Sequence, residues 1–295
     1  MSKRPLPIDV EPEPEAPDGA EAPDGLSAGA AAAGDDGYED ADDPPPYHPV
    51  VAAMLAAGVF LTRLPLPLNG RLTPALFGRA MGWFPLIGAC LGLSAGIVFG
   101  LLGGFGVPSL VAAAVVVALL VLTTGGLHED GLADVADGLG GGQDRESKLE
   151  IMHDSRVGSY GVLALVLSVV IRIAAIAALP STWAAIKVLV VAGALSRAAM
   201  VAQSHWQPPA RPDGLSATLG GPAPGATVLA LALALGLAFL LIGSKAALVM
   251  VVAAVVCWGL IRLADHHVGG QTGDLLGTTQ QVVEIVVLVM LAGVR

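Results

Sequence analysis

The chain has 295 residues, and 54% of them are hydrophobic although its formal net charge is -10. Thirteen of the 25 acids precede residue 49, against only Lys3 and Arg4; beyond that point thirteen bases meet twelve acids. The acidity therefore belongs to a tail and says nothing of the body's partners, no nucleic-acid partner is expected, and a water-soluble helical protein is excluded because the long apolar runs lack polar faces.

Residues 1 to 48, rich in Pro, Gly, Asp and Glu, are too poor in apolar side chains to fold and read as a disordered tail. No apolar run follows Lys3 and Arg4, so a cleavable signal peptide is not expected. Residues 49 to 295 form one membrane-embedded domain, an all-α polytopic helical bundle. A span needs about 20 apolar residues. Six runs fit, at 83 to 103, 108 to 127, 159 to 179, 183 to 203, 226 to 243 and 246 to 264, with a shorter run at 281 to 294. Six or seven spans follow. The run from Pro49 to Leu61 is short and ends at Pro65 and Pro67, which suits an interfacial or re-entrant segment.

Arg63, Arg71 and Arg79 before the first of the six runs place that loop in the cytoplasm. Alternation then puts 128 to 158, 204 to 225 and 265 to 280 on the same side, and the opposite loops are too short to build a site. Eight of the twelve acids beyond residue 48 lie between Glu129 and Asp154. On a helix, Asp130, Asp134 and Asp137 fall within an arc of roughly 60°. No lysine or arginine stands between Glu129 and Gln143 to neutralise them. A divalent cation relieves such crowding, and magnesium prefers carboxylate oxygens shared with phosphate and water; the competing reading is a solvated charged loop between spans.

After the stripe, Gly138 and Gly140 to Gly142 should end the helix, and Glu150 and Asp154 follow at helical spacing. In DSRVGSYG, residues 154 to 161, Arg156 suits a phosphate and Gly158 permits close backbone approach. Arg156 also suits a plain interfacial anchor. Arg172 and Arg197 lie in or near spans and need a partner, either the acidic cluster or a substrate. RPDGL (211 to 215) and GGQTGDLLG (269 to 277) add Asp213 and Asp274, or serve as ordinary loops. Cys90 and Cys257 read as small core residues.

The strings FPLIG (84 to 88), GGLHEDGLADVADG (125 to 138), LEIMHDSRVGSYG (149 to 161) and GGQTGDLLG, in this order on a polytopic chain, resemble the cobalamin synthase family, adenosylcobinamide-GDP ribazoletransferase. The resemblance runs from about Leu61 to the C-terminus and leaves out the acidic tail. It implies the last assembly step of the cobalamin nucleotide loop: α-ribazole, or its 5′-phosphate, attacks adenosylcobinamide-GDP, GMP leaves, and adenosylcobalamin or its 5′-phosphate forms. It also implies magnesium as cofactor, a bacterial cytoplasmic membrane, an active site facing the cytoplasm, and other nucleotide-loop enzymes as candidate partners. The expected roles are metal binding by Asp130, Asp134 and Asp137, a further metal ligand or the proton-taking base in Asp154, with His128 as runner-up base, and substrate contact by Arg156, Gly158 and Asp274. Glu129, off the stripe, should matter less. Two other readings are a magnesium-dependent phosphotransferase of CDP-alcohol type and a cation transporter; the latter should place its acids at mid-membrane.

Overall fold

The computed structural model describes residues 47–68, 72–212 and 214–293. Most of the acidic tail, Arg71 and Asp213 lie outside the described residues. Short helices come first. Helix α1 (Pro49–Leu61) starts at Pro49, where a missing amide hydrogen costs nothing, and α2 (Pro74–Ala80) starts the same way behind a Thr73 cap. A 3-10 turn (Met81–Trp83) joins α2 to α3 (Phe84–Gly104), making a helical stretch of 31 residues.

Helix α4 (Ser109–Thr124) ends at Gly125 and Gly126, whose φ values of 67° and 70° lie in the left-handed region. Only glycine enters that region freely. Two in succession turn the chain by 90° into α5 (Leu127–Gly141), which carries the acids. Helix α5 therefore does not continue α4 in a straight line.

Helix α6 (Arg145–Ile151) opens with a reciprocal cap between Asp144 and Ser147. Then come α7 (Ser159–Ala177), α8 (Thr182–Trp206), α9 (Leu215–Leu219), α10 (Ala226–Ile242), α11 (Lys245–Val268) and α12 (Gly273–Gly293). No strand occurs among the described residues; one isolated bridge joins Pro209 to Gln271.

Helix α8 is the axis of the bundle. From Val188 to Ser204 it is buried without interruption, packed by α3, α10 and α12. Its closest neighbour is α3, where a side chain on either Gly88 or Gly193 would strike the other's carbonyl. Small residues at a crossing bring two backbones together and recover dispersion energy, the main attraction left between helices in lipid.

Five helical stretches are long and apolar enough to cross a membrane, or six if the bent pair α4 and α5 is one broken span. The expected six or seven meets this count at six, and three helices differ in length from the apolar runs that announced them. Helix α10, with 17 residues, is shorter than a straight crossing requires. Helix α4, with 16, is shorter still. The run at 281 to 294 belongs to a full span of 21 residues, α12. Its first half escaped hydropathy because Thr278, Thr279, Gln280 and Gln281 are polar yet buried inside the protein, away from lipid.

Candidate active site: a carboxylate-lined cavity

A cavity of about 530 Å³ opens where α5, the turn after α6, the end of α8, the segment around α9 and the start of α12 meet. These are the three loop regions that span alternation put on one side, now drawn into one wall. Cross-ties hold them. Ala210 N donates to Gln271 O at 2.8 Å, and Gln271 N to Pro208 O at 2.9 Å. Arg145 adds Nε to Val268 O at 2.8 Å and Nη2 to Ala210 O at 2.6 Å, fastening α6 to the end of α11 and to one side of that pairing.

Asp130 and Asp134 face the cavity from α5, one helical turn apart, and Asp274 faces it from the first turn of α12. Burial comes first, then the charges of Asp130, Asp274 and Asp137, in pushing the Asp134 carboxyl from 3.8 up to about 7. Carboxylates have been crowded here without enough positive charge. The nearest counter-charge to Asp274 is Arg211, at 3.8 Å from its Oδ2. Sequence reading gave Arg211 no role; its only signal was a place in a loop on the same side as the acids. Asp154 also lines the cavity.

The expected stripe is divided. Asp137 is only 8% exposed and accepts from Gly158 N at 2.7 Å and Gly161 N at 2.9 Å. Both its oxygens thus cap the first turn of α7, where amide hydrogens have no helical partners. Gly158 serves this cap and does not line the cavity. Asp137→Ala should lower stability by about 1–3 kcal/mol, the cost of stranding hydrogen-bond donors. Thermal unfolding in detergent measures this; unchanged stability with lost turnover would return Asp137 to the reacting groups.

Arg156 stands outside the cavity wall, 86% exposed, with its Nη2 2.5 Å from Asp154 Oδ2. Its guanidinium holds the Asp154 carboxyl below the usual carboxylate range. His128 belongs to the wall by position, yet it is 1% exposed, and its Nε2 has no hydrogen-bond partner among the described residues. Glu150 is exposed and takes no part in the cavity.

Behind α5 lies a second polar assembly that sequence reading missed in most of its members. Arg172, 2% exposed, donates to Glu129 at 2.9 Å and stands 3.6 Å from Glu284. Arg197 meets Glu284 at 2.6 Å. Gln281 bridges Glu129 and Gln280, and Ser168 donates to Gln281. One of the two partners foreseen for Arg172, the acidic cluster, is supplied by Glu129, which takes no part in the cavity lining and instead belongs to this buried pairing. Glu284 went unread because a single acid in an apolar run gives no spacing to read.

Among the described residues no three His, Cys, Asp or Glu side chains converge into a closed metal centre. The donors facing the cavity are mostly carboxylate oxygens, the kind a hard cation shares with a phosphate and water. Apolar helices of spanning length around a carboxylate-lined cavity define a multi-pass helical membrane protein with a polar site at one end. The chain belongs to the Cobalamin-5-phosphate synthase family, whose model matches residues 53–292.

Curated relatives bear the name adenosylcobinamide-GDP ribazoletransferase. One from Bradyrhizobium diazoefficiens is 42% identical over 82% of this chain and 94% of its own length. One from a Sinorhizobium species is 47% identical over 79% of this chain and 93% of its own. One from Rhizobium meliloti is 46% identical with the same coverage. No solved structure matches the chain.

Proposed function

We propose that the chain catalyses the reaction for which its relatives are named, joining the cobinamide phosphate of adenosylcobinamide-GDP to α-ribazole or its 5′-phosphate. The observation that carries this reading is the make-up of the cavity. All of its acids and most of its polar wall come from 125–138, 149–161 and 269–277, segments that carry the family resemblance. The attacking hydroxyl forms a new P–O bond at the cobinamide-side phosphorus, the diphosphate bridge breaks, and GMP leaves with the bridging oxygen. Such a transfer needs phosphate charge neutralised, the hydroxyl aligned and its proton removed.

The residues divide this work. Arg211 and Arg156 face anionic oxygens, Arg156 from the rim, where its fork suits phosphate. While Arg156 grips Asp154 the carboxylate is a poor base; a phosphate that draws the guanidinium away frees Asp154 to take the hydroxyl proton. Asp130 and Asp134, with Asp274 across from them in the lining, would hold a magnesium ion only together with substrate phosphate and water, with Asp137 withdrawn into its cap. Bound there, magnesium would offset the diphosphate charge and ease departure of GMP.

The basic residues Arg63, Arg71 and Arg79 before α3 support a cavity that faces the cytoplasm from a bacterial plasma membrane, within reach of other nucleotide-loop enzymes. A transport path is less well served, since the acids deepest in the bundle, Glu129 and Glu284, are paired with arginines. The test is to incubate the protein in liposomes with adenosylcobinamide-GDP and α-ribazole, with magnesium or with a chelator, and follow GMP and corrinoid product by chromatography. Equal, magnesium-dependent yields of both are expected. GMP without the joined corrinoid would make the protein a hydrolase and sink the transfer; a CDP-alcohol converted in place of the corrinoid would move the chain to lipid synthesis.

A further inference from the structure

The cavity has a second character that the phosphate chemistry leaves unused. Besides the acids of α5 and α12, its lining has an aromatic and sulfur-bearing part: Phe60 from α1, Phe77 from α2, Met81, Phe84 from α3 and Met200 from α8. Phe60 and Phe84 lie parallel, with ring centroids 5.7 Å apart and planes within 9°. Phe77 meets both edge-on, at 4.8 Å and 6.0 Å. Phe77, Met81 and Phe84 are buried and fixed; Phe60 is half-buried.

We propose that this aromatic wall seats the flat heteroaromatic base of the acceptor ribonucleoside, with Phe60 as the residue that reads it. The inference rests on the transferase reading above. Size gives the first argument. A cavity of about 530 Å³ suits one drug-sized molecule. The corrinoid donor is far too large to be enclosed, so only its diphosphate link enters, and the remaining space fits the nucleoside.

Polarity gives the second. A benzimidazole-type base is an apolar plate on a polar ribose, matching a cavity whose lining combines aromatic residues of α1 to α3 with acids of α5 and α12. Guanine, the other flat ring in the reaction, carries donors and acceptors around its edge, and those would go unpaired against phenylalanine and methionine. Stacking on aromatic rings and soft contact with methionine sulfur favour the less polar plate. The wall also accounts for α1 and α2, which lie outside the acidic motifs yet supply two of its three rings.

The test pairs turnover with binding, using Phe60→Leu, which keeps an apolar side chain at a half-buried position, and Phe60→Trp, which restores a ring. Phe60→Leu should raise KM for α-ribazole about tenfold, the scale of one lost base-stacking contact, with kcat and the donor's KM within about twofold. Phe60→Trp should recover most of the loss. A riboside carrying adenine should be a poor acceptor for the wild type, and Phe60→Leu should narrow the gap between the two acceptors. Equilibrium dialysis of labelled α-ribazole against protein without donor reads the subsite apart from the reaction. Wild-type binding weakened by Phe60→Leu, without turnover, would uphold the subsite and overturn the transferase reading. Normal turnover with an unchanged acceptor KM would overturn the subsite, and so would a rise confined to the donor's KM. Neither binding nor turnover in the wild type would overturn both.

Discussion

Asp134→Ala should lower GMP release and corrinoid formation by a factor on the order of 10³ or more, the scale seen when a group that stabilises transferring charge is removed. The protein should still fold, because Asp134 makes no hydrogen bond that holds two helices together, in contrast to Asp137 on the same helix. Activity within tenfold of wild type, with an unchanged elution profile in detergent, would remove Asp134 from the reacting groups. The same side chain has a signature in metal-free protein. Its carboxyl is raised from 3.8 to about 7 in the folded state, so the folded form holds a proton that the unfolded form has released. Stability should therefore fall as pH climbs through that window, and Asp134→Asn should flatten the fall. Magnesium should restore stability most at the alkaline end.

Glu284→Ala should have the larger effect on the fold. It leaves Arg197 without its carboxylate at 2.6 Å and removes the second acid, at 3.6 Å, from Arg172. Breaking a buried pair by deleting one partner costs about 3–5 kcal/mol, since an uncompensated charge stays behind. That is a large share of the roughly 5–15 kcal/mol that holds a typical protein folded. Little protein should accumulate in membranes, and what does should melt early in detergent. Glu284→Gln, which keeps the shape and one acceptor oxygen, should fall between the two. A fully stable Glu284→Ala protein would show that water reaches these arginines.

The contrast between the two sites explains what could be read from residues alone. The acidic stripe was visible because three acids at helical spacing in an apolar chain have few explanations, and the helical class followed from uninterrupted apolar runs. Spacing within one helix cannot say which members face a cavity, however. Asp137 looked equivalent to Asp130 and Asp134 until the amides of Gly158 and Gly161 claimed it. The buried ion pairs join residues far apart in the chain, 43 positions for Arg172 with Glu129 and 87 for Arg197 with Glu284, so no local pattern announces them. The aromatic wall is equally non-local, with Phe60, Phe77 and Phe84 each on a separate helix and each ordinary in its own run.

The pairing of Glu284 with two arginines also imposes an order on synthesis. Arg172 and Arg197 are made and threaded into the bilayer well before α12 leaves the ribosome. Glu129 answers the first of them early; the second has no acid until the final helix arrives. Among the described residues, the acid that meets Arg197 comes from α12 and from no earlier helix. Without Glu284 the Arg197 guanidinium keeps its charge bare, so α12 is the element that closes the charge pairing of the helices made before it.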